Sequence, residues 1–227
     1  MEERTQSASS SRSTFLRNAG LVMFVATVIA FALKATVSPE RLVRYTPIVI
    51  FHGIVMVGWL AFFALQASLI HGGNTRRHTA NGKLSGLLVL LMVGISWWIS
   101  YSLMIEIQST TVFVANSAML IAFLCFYTAA ILAVRRKDTA THKRYMLFAS
   151  LSILMPAIGR LADALTGQEA LFTLIIFPII VIALPLLYDR SLGRGVHRAT
   201  VIGIIGSISW VVLMMVALSL PMDRWLL

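Results

Sequence analysis

Long uninterrupted apolar runs dominate the chain, in place of the period-two alternation of a strand or the half-polar face of a soluble helix. They fall at about residues 19–37, 47–70, 84–104, 112–134, 145–164, 171–188 and 200–219, with short polar segments between them. A helix that crosses the hydrocarbon core of a bilayer needs roughly 20 apolar residues, and each run is close to that length. The pattern therefore predicts an all-α polytopic membrane bundle of seven transmembrane helices. Residues 1–17 are rich in Ser and Thr, mix charges and lack apolar periodicity, so they read as a disordered cytoplasmic tail. Residues 18–227 read as a single seven-helix transmembrane domain. The first run also has the look of a signal peptide ending near Ala30-Phe31-Ala32, but an acidic start and no polar segment before that point favour an uncleaved span.

Breaks within the runs add shape. Pro156 in the fifth run, and Pro178 and Pro185 in the sixth, each remove a backbone donor and predict kinks. Gly82 with Gly86, and Gly203 with Gly206, form pairs of small residues through which a neighbouring helix or a flat ligand can approach the backbone. The third, fifth and seventh runs each follow a basic, histidine-bearing segment (RRHTANGK, THKRYM, GRGVHRAT), which points to repeated helical hairpins after an initial helix.

Composition removes the soluble alternative: 58% of residues are hydrophobic, 12% are charged and the mean hydropathy is +0.85. The single cysteine, Cys125, excludes an internal disulfide and a thiolate cluster. In a soluble chain the net charge of +10 would point to nucleic acid. Here the basic residues occupy loops between apolar runs, so the expected partner is the lipid bilayer, with no nucleic acid. Of the 19 Lys and Arg, all but Lys34, Arg41, Arg44, Arg160 and Arg224 fall on one side of the seven-span topology. The positive-inside rule then places the N-terminus in the cytoplasm, the C-terminus outside, and the protein in the inner (cytoplasmic) membrane.

Two polar sets carry the candidate chemistry. At the cytoplasmic ends lie His71, His78, His142 and His197, and imidazole is the commonest protein ligand for transition metals and haem iron. The competing reading is interfacial histidines that contact lipid phosphate. No HxxxH or HExxH spacing occurs, so a metalloprotease-type zinc helix is not supported. Toward the other face lie His52, Glu106, Asn116, Arg160 and Asp163, with Gln66 in the same run as His52. Charged groups within a span are costly and mark function by default. The structural alternatives are an Arg160–Asp163 pair three residues apart on one helix, with Glu106 as another partner for Arg160, and a His52–Asn116 hydrogen bond. A retinal protein is set aside, because the seventh run has no lysine for a Schiff base and the third no carboxylate at mid-span.

At His52, Gln66, His78-xxx-Gly82-Lys83 and His142-Lys143-Arg144-Tyr145-Met146 followed by Arg160, the chain resembles a family of uncharacterised bacterial multi-span membrane proteins. That family has a histidine and a glutamine in one helix, then HRxLGR, then HRRWM and a later arginine. Thr79, Asn81 and Tyr145 stand where it has arginine, leucine and tryptophan. A looser resemblance is to the di-haem membrane proteins of the cytochrome b561 type, in which helices two apart share a haem. It implies His78 and His142 as an intact pair at the inner face, and His52 with Asn116 as an outer pair lacking a ligand.

These readings converge on a membrane component that binds haem b or a transition metal. Ligands would come from His78 and His142, or from the wider set His71, His78, His142 and His197. Gly82 and Gly86 would leave room for a porphyrin, and the redox partner would be a quinone or another redox protein. If it is an enzyme, it is a membrane oxidoreductase. The rival is a transporter or channel subunit with His52, Gln66, Asn116, Arg160 and Asp163 along its path, and a third reading is an accessory protein without chemistry of its own.

Overall fold

The computed structural model describes residues 2–40, 45–193 and 195–220, and among them all regular structure is helical. Arg41, Arg44, Arg194 and Arg224, which enter the orientation argument above, lie outside the described residues. In chain order the helices are α1 (Glu2–Val37), α2 (Pro47–His71), α3 (Thr75–Gly82), α4 (Ser85–Ile107), α5 (Thr111–Arg135), α6 (Thr139–Ser152), α7 (Met155–Thr166), α8 (Glu169–Ser191) and α9 (Arg198–Ser219). Six stretches among the described residues are long and apolar enough to cross a membrane, and α6 with α7 makes a seventh when the two count as one broken span. The protein is thus an all-α, multi-pass membrane protein.

The helix boundaries follow from local chemistry. Proline opens α2 at its first position, where a missing N–H costs nothing. Pro156 is the second residue of α7, still within the first turn where its missing N–H is not needed, and the fifth apolar run is two helices separated at Ile153–Leu154 instead of one kinked helix. The basic segment after α2 is itself helical: Asn74 accepts a hydrogen bond from the Arg77 N–H at 3.2 Å and starts α3, which a turn at Lys83–Leu84 separates from α4. At the other end of the chain α1 begins at Glu2, inside the Ser/Thr-rich segment that the sequence reads as disordered. Once the apolar part of a helix exists, each further residue costs only propagation and not nucleation.

The chain divides into two compact units, one of residues 1–89 and 154–197, the other of residues 90–153 and 198–227. In the first, α1 lies close along α2: a methyl group on Gly20 would come within 2.9 Å of the Ala64 Cα and the Phe63 ring. α7 packs between α1 and α8, with Gly159 facing Glu169 and Thr173. The buried apolar residues of this unit include Met23, Ala30, Trp59, Leu60 and Val181. In the second unit α5, α6 and α9 pack on one another around Phe123, Ala130, Leu147 and Phe148. A methyl group on Gly203 would overlap the Phe148 ring, and Phe148 stacks on Phe126 with centroids 5.3 Å apart. The Gly203–Gly206 pair therefore seats aromatic side chains.

Candidate functional site

His78 and His142 occupy the same place in two hairpins that match bond for bond. α2 and α5 are both 25 residues long, and the shift that carries Pro47 onto Thr111 also carries His71 onto Arg135 and His78 onto His142. Two residues past the end of each helix stands a left-handed residue, Gly73 at φ 73° and Lys137 at φ 62°. The next residue donates its N–H back into the helix, Asn74 to Leu69 O at 2.8 Å and Asp138 to Ala133 O at 3.0 Å. That residue's side chain then caps the following helix, Asn74 accepting from Arg77 N at 3.2 Å and Asp138 from Thr141 N at 3.0 Å. One turn on, the histidine ring folds back onto the helix it has just left. His78 Nδ1 lies 3.3 Å from Gln66 O, and His142 Nδ1 lies 2.9 Å from Ala130 O. A carbonyl only accepts, so each Nδ1 carries a proton and the neutral ring keeps its lone pair on Nε2.

The other two histidines of that set are held differently. His71 Nδ1 meets Thr14 Oγ1 at 3.2 Å, which joins α2 to α1. His197 is anchored through its backbone N–H, which donates to the buried Asp189 at 2.8 Å. Among the described residues, no three or more His, Cys, Asp or Glu side chains form a group that could hold a metal ion. Beside Gly82, the last residue of α3, an added methyl group would meet nothing within 4 Å, and Gly86 lies past the turn, on α4. Arg144, a residue of the His142-Lys-Arg motif, is buried and ties α6 to α9 through Thr200 at 3.2 Å.

The outer set divides between the units. In the first, Asp163 pairs with Lys34 at 2.7 Å, and Lys34 also donates to Ser38 at 2.7 Å. Arg160 lies with its guanidinium 4.5 Å from the centre of the Phe31 ring and donates to Pro156 O at 3.1 Å. His52 is half-buried. In the second unit Asn116 donates to Ser100 at 2.8 Å, and Glu106 is exposed. Gln66, in the first unit, is buried, and neither its Nε2 nor its Oε1 has a hydrogen-bond partner among the described residues.

Lys34 and Asp189 are the residues the sequence reading passed over. Lys34 looked like a flanking charge at the end of the first run, yet it is 7% exposed. A cation followed four residues later by Ser38 at the end of an apolar run was the available signal. Asp189, 1% exposed at the end of α8, had none beyond being an acid next to Tyr188. Comparison of the chain with protein-family models, curated proteins and solved structures returned no match.

Proposed function

We propose that this multi-pass membrane protein is a b-type haem-binding electron-transfer component at the cytoplasmic face of the inner membrane, with His78 and His142 as the ligand donors. The observation that supports it is the pinning of both Nδ1 atoms by main-chain carbonyls. Histidines that ligate metals are oriented in this way, with the opposite nitrogen bearing the lone pair. The donor chemistry fits haem better than a bare metal ion, since haem iron needs only one or two axial imidazoles and no three-ligand group is present among the described residues. Haem would supply one-electron chemistry. The chain's own contribution is to fix two ring orientations and to leave the space beside Gly82 open, with Arg76, Arg77 and Lys143 near the histidines in sequence to pair with propionates.

Protein expressed with ample haem and purified should show a Soret band at one haem per chain. His78→Ala or His142→Ala should abolish it, and His52→Ala should keep it. A colourless wild-type protein would overturn the reading and favour the second one, transport through the first unit. That alternative is supported by the Lys34–Asp163 pair and Arg160 inside apolar helices.

A further inference from the structure

The Gln66 carboxamide is a buried polar group that its surroundings leave unanswered. The residue is 9% exposed, and both Nε2 and Oε1 are sealed from solvent with no partner among the described residues. Burying an amide in that state is costly in apolar surroundings, and buried polar groups in folded proteins are otherwise satisfied. The hairpin does not need the amide. Ala130 holds the matching place in the second hairpin, where its carbonyl anchors His142 as the Gln66 carbonyl anchors His78. Its side chain is a fully buried methyl group. The same local geometry is built with and without the carboxamide, so the carboxamide serves something other than that geometry.

A primary carboxamide does not ionise, and it offers a donor and an acceptor side by side. A neutral group with a hydroxyl donor next to an oxygen acceptor would answer both atoms. Gln66 lies little more than a turn from the end of α2, and Leu65 next to it in the chain is 48% exposed on a helix that spans the bilayer. A ligand reaching this depth travels in the lipid, with its head group at the interface and its tail among the chains. We infer that Gln66 marks a binding site for the head group of a neutral lipid with a hydroxyl beside an oxygen acceptor. A dimethoxy hydroquinone and the glycerol diol of a monoacylglycerol share that chemistry. The site stands on the carboxamide and its alanine counterpart, and is independent of any haem.

The full-length protein in phosphatidylcholine nanodiscs would be titrated with radiolabelled decyl dimethoxy hydroquinone and, separately, with monoolein, against nanodiscs without protein. Saturable binding of at least one is expected, and the one that binds identifies the source of the head group. Gln66→Ala, which copies the second hairpin, should weaken binding about tenfold or more while leaving the melting temperature of the ligand-free protein equal or higher. Gln66→Met keeps the side-chain volume and decides the matter if alanine leaves a destabilising void. Absence of saturable binding of both lipids to the wild type would show that the amide takes no such head group, and unchanged binding in the variants would place the lipid elsewhere. Either result overturns the inference.

Discussion

In the hairpin after α2, glycine takes the left-handed position, asparagine caps the next helix, and a buried glutamine supplies the carbonyl that holds the histidine. In the hairpin after α5, lysine, aspartate and alanine fill those places, and the bonds are the same. The surroundings are not. The first hairpin belongs to a unit joined by polar contacts, Thr14 to His71 and Lys34 to Asp163, and it holds an amide without a partner. The second belongs to a unit closed by aromatic packing, with Phe148 against Gly203 and Phe126, and Trp210 donating to Ala118 O. A shared clamp with unshared polar burial separates what the fold requires from what it does not. The histidines and their caps are common to both hairpins and form the shared clamp. The excess polar groups of the first unit call for another explanation.

That contrast can be broken most sharply at Lys34–Asp163. Asp163→Leu leaves a buried ammonium without its carboxylate and should cost about 3–5 kcal/mol, read as the fall in unfolding free energy in mixed micelles. Adding Lys34→Met should restore most of the loss, and an uncorrected double variant would show that Asp163 acts through another group. Next in size are the caps. Asn74→Ala and Asp138→Ala should each cost about 1 kcal/mol, and near-equal losses are what two equivalent clamps require; a loss confined to one hairpin would end the equivalence. The smallest effect lies at the left-handed residues. Lys137→Gly should stabilise by a few tenths of a kcal/mol to about 1 kcal/mol, because lysine strains at φ 62° and glycine does not. The reverse change, Gly73→Lys, should destabilise by a similar amount, as thermal shifts of opposite sign would register.

Much of the architecture was legible because hydropathy changes abruptly at Pro47, His71, Thr111 and Arg135, where an apolar run meets proline, glycine, a Gln-Ser-Thr stretch or a block of cations. The break in the fifth run was only half legible. Pro156 announced a disturbance, but whether a proline bends one helix or begins another depends on how the preceding turn at Ile153–Leu154 is packed. For the site, the histidines that recur after Asn74-Thr75 and Asp138-Thr139 could be picked out from repetition, since a cap and a residue one turn later form a local signal. The pairing of Asp163 with Lys34 was not readable. Arg160 is its neighbour on the same helix, whereas the meeting with Lys34 depends on how α1 lies against α7. The isolation of Gln66 was equally hidden, because whether an amide is satisfied depends on every helix around it and not on its own spacing.

The Lys34–Asp163 pair also sets a timetable. At about 5–20 residues per second, the roughly 130 residues between the two take on the order of ten seconds to synthesise. Through that interval α1 already carries a cation whose carboxylate does not yet exist, and its long side chain has to reach for the aqueous edge of the membrane. When α7 emerges the charge can be drawn inward and α1 committed to its final neighbours. A nascent chain that stops short of Asp163 is therefore a distinct species, with a positive charge on its first helix that lacks its carboxylate.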